Sequence, residues 1–470
     1  MMHWSLAHIA RAVSGRLVAG GGNGKLVGVA TDTRQACAQR LFVALQGERF
    51  DAHDYLEEAV AQGAAALLVH FAEKLPRDVP VILVEDTRLA LGRLAAAWRR
   101  TYPRPVIAVT GSNGKTTTRE MIAGILKTAW GEDGILTPQG NFNNDIGVPL
   151  TLLRLGPEHR AAVLEMGMNR PGEIGYLTRI VRPTVALVTN AQRAHLEGMG
   201  DLTSVAMEKA DIYDGLEQGG VALINNDDPQ VAFWRRKNAS RPTLTFALEH
   251  PADVRGKISL HGLSTRLTLV TAQGSRDLDL QIPGRHNAMN ACAAAAAGLA
   301  AGLELDALAE GLRRFSGVNG RLQQKPGPYG AILLDDTYNA NPDSVRAGID
   351  VLAGTIGRQF LVLGDMGEVG EASAQYHDEI GGYARSMGVD RLYALGEASA
   401  QAARGFGEGA HVFKTPEELV KALLEELRDY AGDDGHSGVP TLLVKGSRFM
   451  RMERVVRLLL DAARTDGGAN

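Results

Sequence analysis

Short, almost wholly apolar runs recur along the chain and alternate with longer stretches whose apolar residues follow helical spacing. Runs of the first kind predict buried strands of a parallel sheet, and stretches of the second kind predict the helices that connect them. We predict strands at residues 41–45, 65–69, 81–84, 106–110, 161–166, 185–190, 221–226, 331–335, 360–363, 392–395 and 441–444. Regular alternation of strands and helices is typical of the α/β class.

Two breaks divide this pattern into three segments. A long predicted helix at 89–100 ends before Pro103 and Pro105, a pair that favours an extended junction. The strand–helix rhythm restarts after a stretch at 257–282, where apolar and polar residues alternate as in a small antiparallel flap. We therefore expect a small α/β N-terminal domain, a central domain on a parallel sheet with that flap, and a doubly wound, Rossmann-like C-terminal domain, at residues 1–103, 104–322 and 323–470.

Composition agrees with several compact domains. A chain of 470 residues is too long for one hydrophobic core, and 45% hydrophobic with 22% charged residues is ordinary for folded proteins. The 50 basic and 54 acidic residues give a net charge of −4, so we expect no nucleic-acid partner. Cys37 and Cys292 form no C-x-x-C pair, which argues against a disulfide framework or a cysteine zinc site.

Two observations bear on the cellular compartment. Residues 1–15 predict an amphipathic helix rather than an export signal. The longest run of small apolar residues, 291–303, is shorter than the ~20 residues needed to span a bilayer. We therefore expect a cytoplasmic protein without membrane insertion.

The strongest chemical signal follows the predicted strand at 106–110, where the sequence T-G-S-N-G-K-T-T leads into a predicted helix. In such a loop the backbone N–H groups and the helix dipole face phosphates, Lys115 neutralises their charge, and the Thr116 hydroxyl can bind Mg²⁺. Val109 stands where the usual motif has its first glycine, and the alternative is a glycine turn with an exposed lysine. We predict nucleotide binding by Gly111, Ser112, Asn113, Gly114, Lys115, Thr116 and Thr117.

Polar residues also follow other predicted strands. Glu165 and His195 come at or just after strand ends beside the phosphate loop, where they could hold a metal ion. Each could equally be a solvated or hydrogen-bonded surface residue. Asparagine clusters at 140–147 and 338–342 either form turns or bind a polar ligand.

Taken together, these sequences resemble the Mur ligase family, ATP-dependent amide-forming enzymes of bacterial peptidoglycan synthesis. The resemblance covers nearly the whole chain, and the family's phosphate loop also lacks the usual first glycine. Further similar positions, in matching order and spacing, are Glu165, His195, Asn287, Asn290 and Arg321.

Within the family, the segments at 335–342, 364–368, 445–448 and 140–147 resemble the enzyme that adds a terminal dipeptide. The resemblance implies an ATP-dependent ligase that joins D-alanyl-D-alanine to UDP-N-acetylmuramoyl-tripeptide through an acyl phosphate, giving the pentapeptide. ATP and two Mg²⁺ ions are the implied cofactors, and a monomer is implied because the family is mostly monomeric. The N-terminal segments 31–34 and 47–53 resemble those that hold the UDP-sugar, although Ala52 replaces the family's usual glycine.

The resemblance also implies roles for individual residues. Lys115, His195 and Lys209 would be catalytic, with Lys209 carbamylated so that it attracts the second Mg²⁺. The alternative for Lys209 is an ordinary exposed lysine on a helix whose Glu208 and Asp211 are solvated. Thr116, Glu165, His195 and Lys209 are the implied metal partners. Implied nucleotide contacts beyond the loop are Asn287 and Asn290 at the adenine, and Arg321 and Asp336 at the ribose and phosphates. Implied substrate contacts are Thr31, Asp32 and Arg34 at the UDP end, Asn339, Asn341, Lys445, Ser447 and Arg448 at the dipeptide, and Asn141 and Asn144.

Three rival functions remain open. The Mur ligase that adds diaminopimelate as the third residue carries an Asp-Asn-Pro-Arg sequence, whereas Pro342 is followed here by Asp343. Folylpolyglutamate synthetases lack a UDP-sugar domain like residues 1–102. A binding module could use ATP as a conformational latch without ligation. The sequence leaves open whether the third peptide residue is lysine or diaminopimelate, and which group deprotonates the incoming amine.

Overall fold

The computed structural model describes residues 4–19, 26–71, 75–76, 79–432 and 438–466. Within these residues, the strands form three sheets of five, nine and six strands. One sheet lies in each of the three segments separated by the sequence pattern. The protein therefore has the predicted three-part α/β architecture.

The first sheet has the strand order β1-β5-β4-β3-β2, and all neighbouring strands are parallel except β1 and β5. The first-segment elements are α1 (Leu6–Ala12), β1 (Arg16–Ala19), β2 (Gly28–Ala30), β3 (Arg40–Val43), α2 (Leu56–Ala61), β4 (Ala66–Val69), β5 (Val81–Leu83) and α3 (Thr87–Arg99). Helix α1 lies inside the helix predicted at 1–15, of which residues 1–3 are outside the described part of the chain.

The second sheet has the order β14-β13-β12-β11-β10-β9-β6-β8-β7. Its elements are β6 (Val106–Thr110), α4 (Lys115–Trp130), β7 (Ile135–Leu136), α5 (Gly147–Leu152), β8 (Ala161–Glu165), α6 (Glu173–Val181), β9 (Val185–Val188), α7 (Leu196–Met199), α8 (Leu202–Ala210), β10 (Val221–Asn225), α9 (Val231–Lys237), β11 (Thr243–Ala247), β12 (Val254–His261), β13 (Ser264–Thr271), β14 (Gly274–Leu280), α10 (Arg285–Ala300) and α11 (Leu305–Arg313). The predicted antiparallel strands are present, but they extend the central sheet because β12 pairs in parallel with β11, a strand that the sequence pattern did not predict.

The third sheet has the order β15-β16-β20-β17-β18-β19, parallel except for the edge strand β15. Its elements are β15 (Gln323–Pro326), β16 (Ile332–Asp336), α12 (Pro342–Ala353), β17 (Gln359–Gly364), α13 (Ser373–Ser386), β18 (Arg391–Leu395), α14 (Ser399–Phe406), β19 (Ala410–Phe413), α15 (Pro416–Ala431), β20 (Thr441–Lys445) and α16 (Glu453–Asp466). Helices cover both faces, as in a doubly wound sheet.

The alanine-rich helix α10 is buried in the core of the middle segment. Its residues Ala291, Ala294 and Ala297 have no exposed surface, and they share one hydrophobic cluster with α4 and α11. The packing is close, since a side chain at Gly311 of α11 would collide with the Ile125 backbone of α4. This packing fixes α4, and hence the loop before it, against the sheet. No helix in the described ranges combines the length and apolarity needed to cross a bilayer.

The first and middle segments share a continuous hydrophobic core that includes α3, α5 and α6. Arg99 at the end of α3 is buried within this junction. Its guanidinium donates to the carbonyls of Val181 at 2.8 Å, Tyr102 at 2.6 Å and Arg182 at 2.8 Å, and lies 3.4 Å from Glu217. The first segment is therefore held to the middle one by buried polar contacts as well as apolar ones.

Replacing Arg99 by methionine is expected to destabilise the protein by about 3–5 kcal/mol, because the carbonyls of Val181, Tyr102 and Arg182 lose their donor. Thermal unfolding should show a clear fall in Tm. Arg100→Met is the matched control, since Arg100 is the next residue and is exposed. Equal melting temperatures for the two variants would show that the buried contacts of Arg99 do not stabilise the junction.

Candidate active site

The loop between β6 and α4 has the backbone shape that a phosphate cradle needs. Gly111 and Gly114 adopt φ values of 146° and 79°, which disfavour residues with a side chain. A β-carbon at Gly111 would collide with Thr189, and one at Gly114 with the Asn290 amide. Both glycines are therefore required by backbone conformation and by close neighbours.

Lys115 is the first residue of α4 and is half-buried. Its Nζ donates to the carbonyls of Gly111 at 2.8 Å and Ser112 at 3.1 Å. Burial lowers the pKa of Lys115, and the Arg321 cation lowers it further. The alternative of a freely exposed lysine on a glycine turn is wrong, because the ammonium is bound to its own loop.

Glu165, the last residue of β8, is buried and accepts hydrogen bonds through both carboxylate oxygens. Thr116 Oγ1 donates to its Oε2 at 2.8 Å, and Asn143 Nδ2 donates to its Oε1 at 3.0 Å. Arg321 Nη2 in turn donates to Thr116 Oγ1 at 2.8 Å. The hydrogen-bonded residues Arg321, Thr116 and Glu165 thus connect the junction with the third segment to the start of α4 and the end of β8.

The charge of Glu165 is set by its cationic neighbours. Burial opposes its ionisation, yet Lys115, Arg119 and Arg321 outweigh burial and hold the pKa of Glu165 below its usual range. The closest of these ion pairs joins Arg119 Nη1 and Glu165 Oε2 at 3.7 Å. Glu165 is therefore an ionised carboxylate beside the phosphate loop rather than the solvated loop residue of the alternative interpretation.

His195 precedes α7 and has a left-handed backbone with φ of 58°. Its Nδ1 lies 2.9 Å from Oε2 of Glu368 in the third segment. Burial and the cations of Lys115 and Lys209 lower the pKa of His195 despite the Glu368 carboxylate, so the imidazole is neutral at pH 7. A neutral imidazole retains a nitrogen lone pair for a metal ion or a proton.

Lys209 on α8 is 1% exposed, and no described residue forms a hydrogen bond or ion pair with its Nζ. Burial, followed by the Lys115 cation, lowers the pKa of Lys209 far below its ordinary value. Its neighbour Glu208 is also buried and accepts from the backbone N–H groups of Gly172 and Ile174, both at 2.8 Å. The expectation that Glu208 is solvated was wrong, since it caps α6, and the exposed-lysine alternative for Lys209 is excluded.

Lys115, Glu165 and His195 border one cavity of about 1550 Å³ between the three segments, whereas Lys209 is not among its lining residues. Arg88 of the first segment lines it, as do Lys115 and His195 of the middle segment and Asp336 and Lys445 of the third. A cavity of this size, lined by all three sheets' loops, can hold a large nucleotide together with a second ligand.

The donors present fit Mg²⁺ only in part. No group of three His, Cys, Asp or Glu residues in the described ranges is arranged to hold a metal ion. The Thr116 hydroxyl and the Glu165 carboxylate are nevertheless hard oxygen donors that lie together. Mg²⁺ in phosphate sites takes one or two protein oxygens and completes its shell with phosphates and water. The site thus fits a Mg²⁺ that arrives with a nucleotide.

Sequence models of three Mur ligase domains match this chain: the family's catalytic domain at residues 25–99, its middle domain at 109–298 and its glutamate ligase domain at 320–448. The UDP-N-acetylmuramoyl-tripeptide--D-alanyl-D-alanine ligase of Escherichia coli (strain K12) is 43% identical over 93% of this chain and 96% of that protein. The chain belongs to the Mur ligase family. The ligase of the same name from Haemophilus influenzae is 40% identical over 98% of the chain and 99% of its own length.

Solved structures give the same family assignment for this Mur ligase. MurF from Acinetobacter baumannii matches with a TM-score of 0.90 and 35% identity, covering 97% of this chain and 99% of that one. MurF ligase from Thermotoga maritima, solved in complex with ADP, matches with a TM-score of 0.81 and 26% identity over 93% and 98% of the two chains.

The two asparagines predicted to contact adenine lie at the start of α10, beside the phosphate loop of this Mur ligase. Asn290 packs against Gly114, and its Nδ2 donates to Oδ1 of Asn287 at 3.2 Å. Asn287 Nδ2 donates to the Pro283 carbonyl at 2.8 Å. Both residues line the cavity. Their adenine contacts stay a prediction.

Asp336 and Lys445, predicted for different ligands, pair with each other. Lys445 Nζ donates to Oδ2 of Asp336 at 2.5 Å and to the Asn339 carbonyl at 3.0 Å. Burial raises the pKa of Asp336, although Lys445 opposes this. Arg321, the other predicted ribose or phosphate contact, lies with its guanidinium 4.1 Å from the Tyr338 ring centroid. A ligand would therefore meet Lys445 as one half of an ion pair.

The other residues predicted for the dipeptide differ in their surroundings. Asn341 caps α12 by accepting from the Ser344 N–H at 2.9 Å, and its Nδ2 donates to Oδ1 of Asn113 at 2.8 Å. Ser447 is buried and donates to the Ala340 carbonyl at 3.0 Å. Asn339 and Arg448 are exposed and line the cavity. All four residues thus have contacts within the protein, since Asn339 Oδ1 accepts from the Ala340 N–H at 2.9 Å and Arg448 Nη1 pairs with Glu453 at 3.0 Å.

The residues predicted for the UDP end lie on a loop after β2 and are not part of the cavity lining. Arg34 Nη2 pairs with Asp32 Oδ2 at 2.6 Å, and the Arg34 side chain is otherwise exposed. This pairing holds the pKa of Asp32 below its usual range. Thr31 directly precedes the pair. The loop is an exposed, partly self-neutralised surface.

Sequence reasoning missed three groups at this site. Asn143, which was not predicted, contacts Glu165. Of the predicted asparagines, Asn144 accepts from the Gly147 N–H at 2.8 Å and so caps a turn. Asn141 accepts from Asn143 at 2.9 Å. Glu368 contacts His195, and Arg193 pairs with the third segment. The asparagine cluster itself was the available signal for Asn143.

Arg193 forms the most extensive described ion pairing between the middle and third segments. Its Nη2 lies 2.7 Å from Oδ1 of Asp343, and its Nη1 lies 2.9 Å from Oε2 of Glu379. Arg346 also pairs with Glu379 at 2.8 Å. Asp343 is the residue that stands where the diaminopimelate-adding ligase has arginine, so here that position helps to dock the third segment.

Proposed function

We propose that this Mur ligase uses ATP to join D-alanyl-D-alanine to UDP-N-acetylmuramoyl-tripeptide, giving UDP-N-acetylmuramoyl-pentapeptide for peptidoglycan synthesis. The observation that supports it most is the single cavity in which the phosphate loop, Glu165 and His195 meet loops of both outer segments. Relatives named for this reaction align along 93% and 98% of the chain. The proposal places the reaction in cell-wall biogenesis, and thereby in cell shape and division.

Two displacements make up the proposed reaction. A tripeptide carboxylate oxygen attacks the γ-phosphorus of ATP, ADP leaves, and an acyl phosphate forms. The amine of D-alanyl-D-alanine then attacks the acyl carbon, phosphate leaves, and the nitrogen loses a proton. The acyl phosphate must meet the amine rather than water, so enclosure between three segments favours this chemistry.

Residues around the phosphate loop would bind and orient the triphosphate. The amides of the loop from Gly111 to Thr117 and the dipole of α4 would hold the phosphates, and Lys115 would exchange its loop carbonyls for phosphate oxygens. Arg321 already reaches Thr116 and would add a second cation from the domain junction. We place Asn287 and Asn290 at the adenine and Asp336 near the ribose.

Two Mg²⁺ ions are part of the proposal. They would screen the tripeptide carboxylate from the triphosphate and neutralise charge that develops on the phosphate oxygens. Thr116, Glu165 and His195 would hold them, together with Lys209 as a carbamate. Because the pKa of buried Lys209 is lowered, a larger fraction of its side chain is a neutral amine than in an exposed lysine. The neutral amine is the form that reacts with CO₂.

The outer segments would deliver the two peptide substrates. We place the UDP end against the loop of Thr31, Asp32 and Arg34, and the dipeptide between Asn339, Asn341, Lys445, Ser447 and Arg448. Asn141 and Asn144 are further proposed substrate contacts. We also propose domains bounded at residues 103 and 322, a monomer, and a cytoplasmic location, where ATP and nucleotide-linked precursors are available.

Phosphate release from ATP tests this function directly. We expect release to require both UDP-N-acetylmuramoyl-tripeptide and D-alanyl-D-alanine, and mass spectrometry to show the pentapeptide product. Running the assay with lysine-containing and diaminopimelate-containing tripeptides identifies the third residue. Release with a single amino acid in place of the dipeptide would indicate a different Mur ligase, and release indifferent to both substrates would indicate a nucleotide-operated latch.

A further inference from the structure

His195 and Glu368 are both held in a strained backbone conformation, and they contact each other. Each has φ of 58°, a left-handed conformation that is unfavourable for a residue with a side chain. They belong to the middle and third segments, yet His195 Nδ1 lies 2.9 Å from Glu368 Oε2. Strain at both ends of one contact between segments points to a function for that contact.

The loop that carries Glu368 is fixed from several sides. It follows β17, and the N–H of Gly367 donates to Ser447 Oγ at 2.6 Å. The N–H of Glu197 donates to the Glu368 carbonyl at 3.4 Å, so the middle segment holds the backbone as well as the side chain. Glu368 is therefore presented to His195 by a rigid support rather than by a free surface loop.

Docking of the third segment does not need this contact. Arg193 already pairs with Asp343 and Glu379 through several short contacts, and Asn341 bonds to Asn113 of the phosphate loop. A single additional contact that costs backbone strain on both sides adds little to such docking. The contact between Glu368 and His195 therefore acts on the His195 imidazole rather than on docking.

Hydrogen-bond chemistry fixes what Glu368 does to the ring. An ionised carboxylate can only accept a hydrogen bond, so Nδ1 of His195 carries the proton and Nε2 keeps its lone pair. Among the described residues, none forms a hydrogen bond with Nε2, and His195 lines the same cavity as Lys115 and Glu165. A carboxylate behind a metal-binding histidine sets its tautomer, orientation and basicity.

We propose that Glu368 is a positioning residue that fixes the tautomer and orientation of His195, so that Nε2 can bind a divalent cation in the cavity. Because Glu368 comes from the third segment, the cation site is completed only when that segment is docked on the middle one. Docking of the dipeptide-binding segment and assembly of the metal site are thereby the same event. This inference rests on the proposed function, which supplies the cation.

The test compares Glu368→Gly, Glu368→Gln and the control Glu371→Ala. Glycine removes the side chain without backbone strain at positive φ, and glutamine keeps an acceptor without the charge. Glu371 is an exposed glutamate three residues away. Mn²⁺ binding, followed by electron paramagnetic resonance in the presence of ADP, and the ¹⁵N shifts of the His195 ring without metal are measured on the full chain.

We expect Glu368→Gly to weaken Mn²⁺ binding about 10- to 100-fold and to shift the ring proton from Nδ1 toward Nε2. Glu368→Gln should show a smaller loss, and Glu371→Ala should bind as the wild type does. If Glu368→Gly does not fold, the ring shifts and Mn²⁺ affinity of Glu368→Gln decide the matter alone. Wild-type affinity and wild-type ring shifts in the Glu368 variants would overturn the inference.

The ligation assay on the unmodified protein separates this inference from the proposed function. Wild-type protein that binds Mn²⁺ but makes no pentapeptide would refute the function and leave the role of Glu368 in the cation site standing. Wild-type protein that makes pentapeptide, with unchanged Mn²⁺ binding in the Glu368 variants, would refute the positioning role alone.

Discussion

Replacing Lys115 by alanine is expected to lower kcat/KM for ATP by about 10²- to 10³-fold, the loss usual for one preorganised electrostatic group in a transition state. Lys115 is already bound at the phosphate loop through the Gly111 and Ser112 carbonyls. Its ammonium therefore needs little reorganisation to meet a phosphate, and alanine offers no replacement charge. Phosphate release in the presence of both peptide substrates measures the loss.

Stability distinguishes a catalytic Lys115 from a structural one. The two loop carbonyls can bond to water in the variant, because the lysine is only half-buried, so we expect a cost of about 1 kcal/mol and a small fall in Tm. Lys127→Ala is the control, since Lys127 lies on the same helix and pairs with Glu132 at 3.0 Å. Loss of cooperative unfolding in Lys115→Ala, or equal loss of activity in both variants, would contradict the prediction.

The sequence pattern located the central strands because parallel strands buried on both faces are continuous apolar runs. Strand β6 was predicted with its observed bounds, and β8 to within one residue. Edge strand β15 was missed for the opposite reason. Strand β15 has the sequence QQKP and contains a proline, which an edge strand tolerates because one side is unpaired. Its strand character comes from pairing with β16 and not from its own residues.

The phosphate loop was predictable because strand, loop and helix are consecutive in the chain. Contacts that join distant segments were not. Arg193 and Asp343 are 150 residues apart, and neither has a local feature that indicates an ion pair. The same holds for His195 and Glu368: His195 was identified by resemblance, but Glu368 was missed because their contact depends on how two sheets dock. Local motifs therefore predicted the nucleotide end of the site. The contacts that dock the third segment on it could be found only from the tertiary structure.

Docking of the third segment on the middle one gives two residues of the predicted phosphate loop a hydrogen-bond partner in the third segment or at its junction. Asn113 bonds to Asn341, and Thr116 bonds to Arg321. Asn341 is also the N-cap of α12, so any shift of the phosphate loop is transmitted to the start of that helix. The Asn341–Asn113 hydrogen bond contributes about 1 kcal/mol, enough to couple the two segments without locking them.

Replacing Lys209 by methionine is expected to lower activity about 100-fold or more while raising stability. Lys209 Nζ has no hydrogen bond or ion pair among the described residues, and Lys115 repels it, so the unmodified ammonium destabilises the fold. Methionine has a similar length and carries no charge, so the variant avoids the cost of burying an unpaired ammonium. The variant also cannot form the proposed carbamate. Thermal unfolding and phosphate release measure the two opposite effects.

The pH dependence of stability gives the same prediction an independent check. Folding depresses the pKa of Lys209 below its ordinary value of 10.5, so the unfolded chain binds more protons between the two values. Lys209 therefore costs no stability above pH 10.5, where both states are neutral, and the cost grows as the pH falls from 10.5 to the folded pKa. Lys209→Met should lack this slope, whereas Lys127→Met should keep it.

Carbon-13 NMR after ¹³CO₂ labelling tests the carbamate directly. The wild type should show a carbamate signal that Lys209→Met lacks. A Lys209→Met variant with full activity would refute the carbamate role.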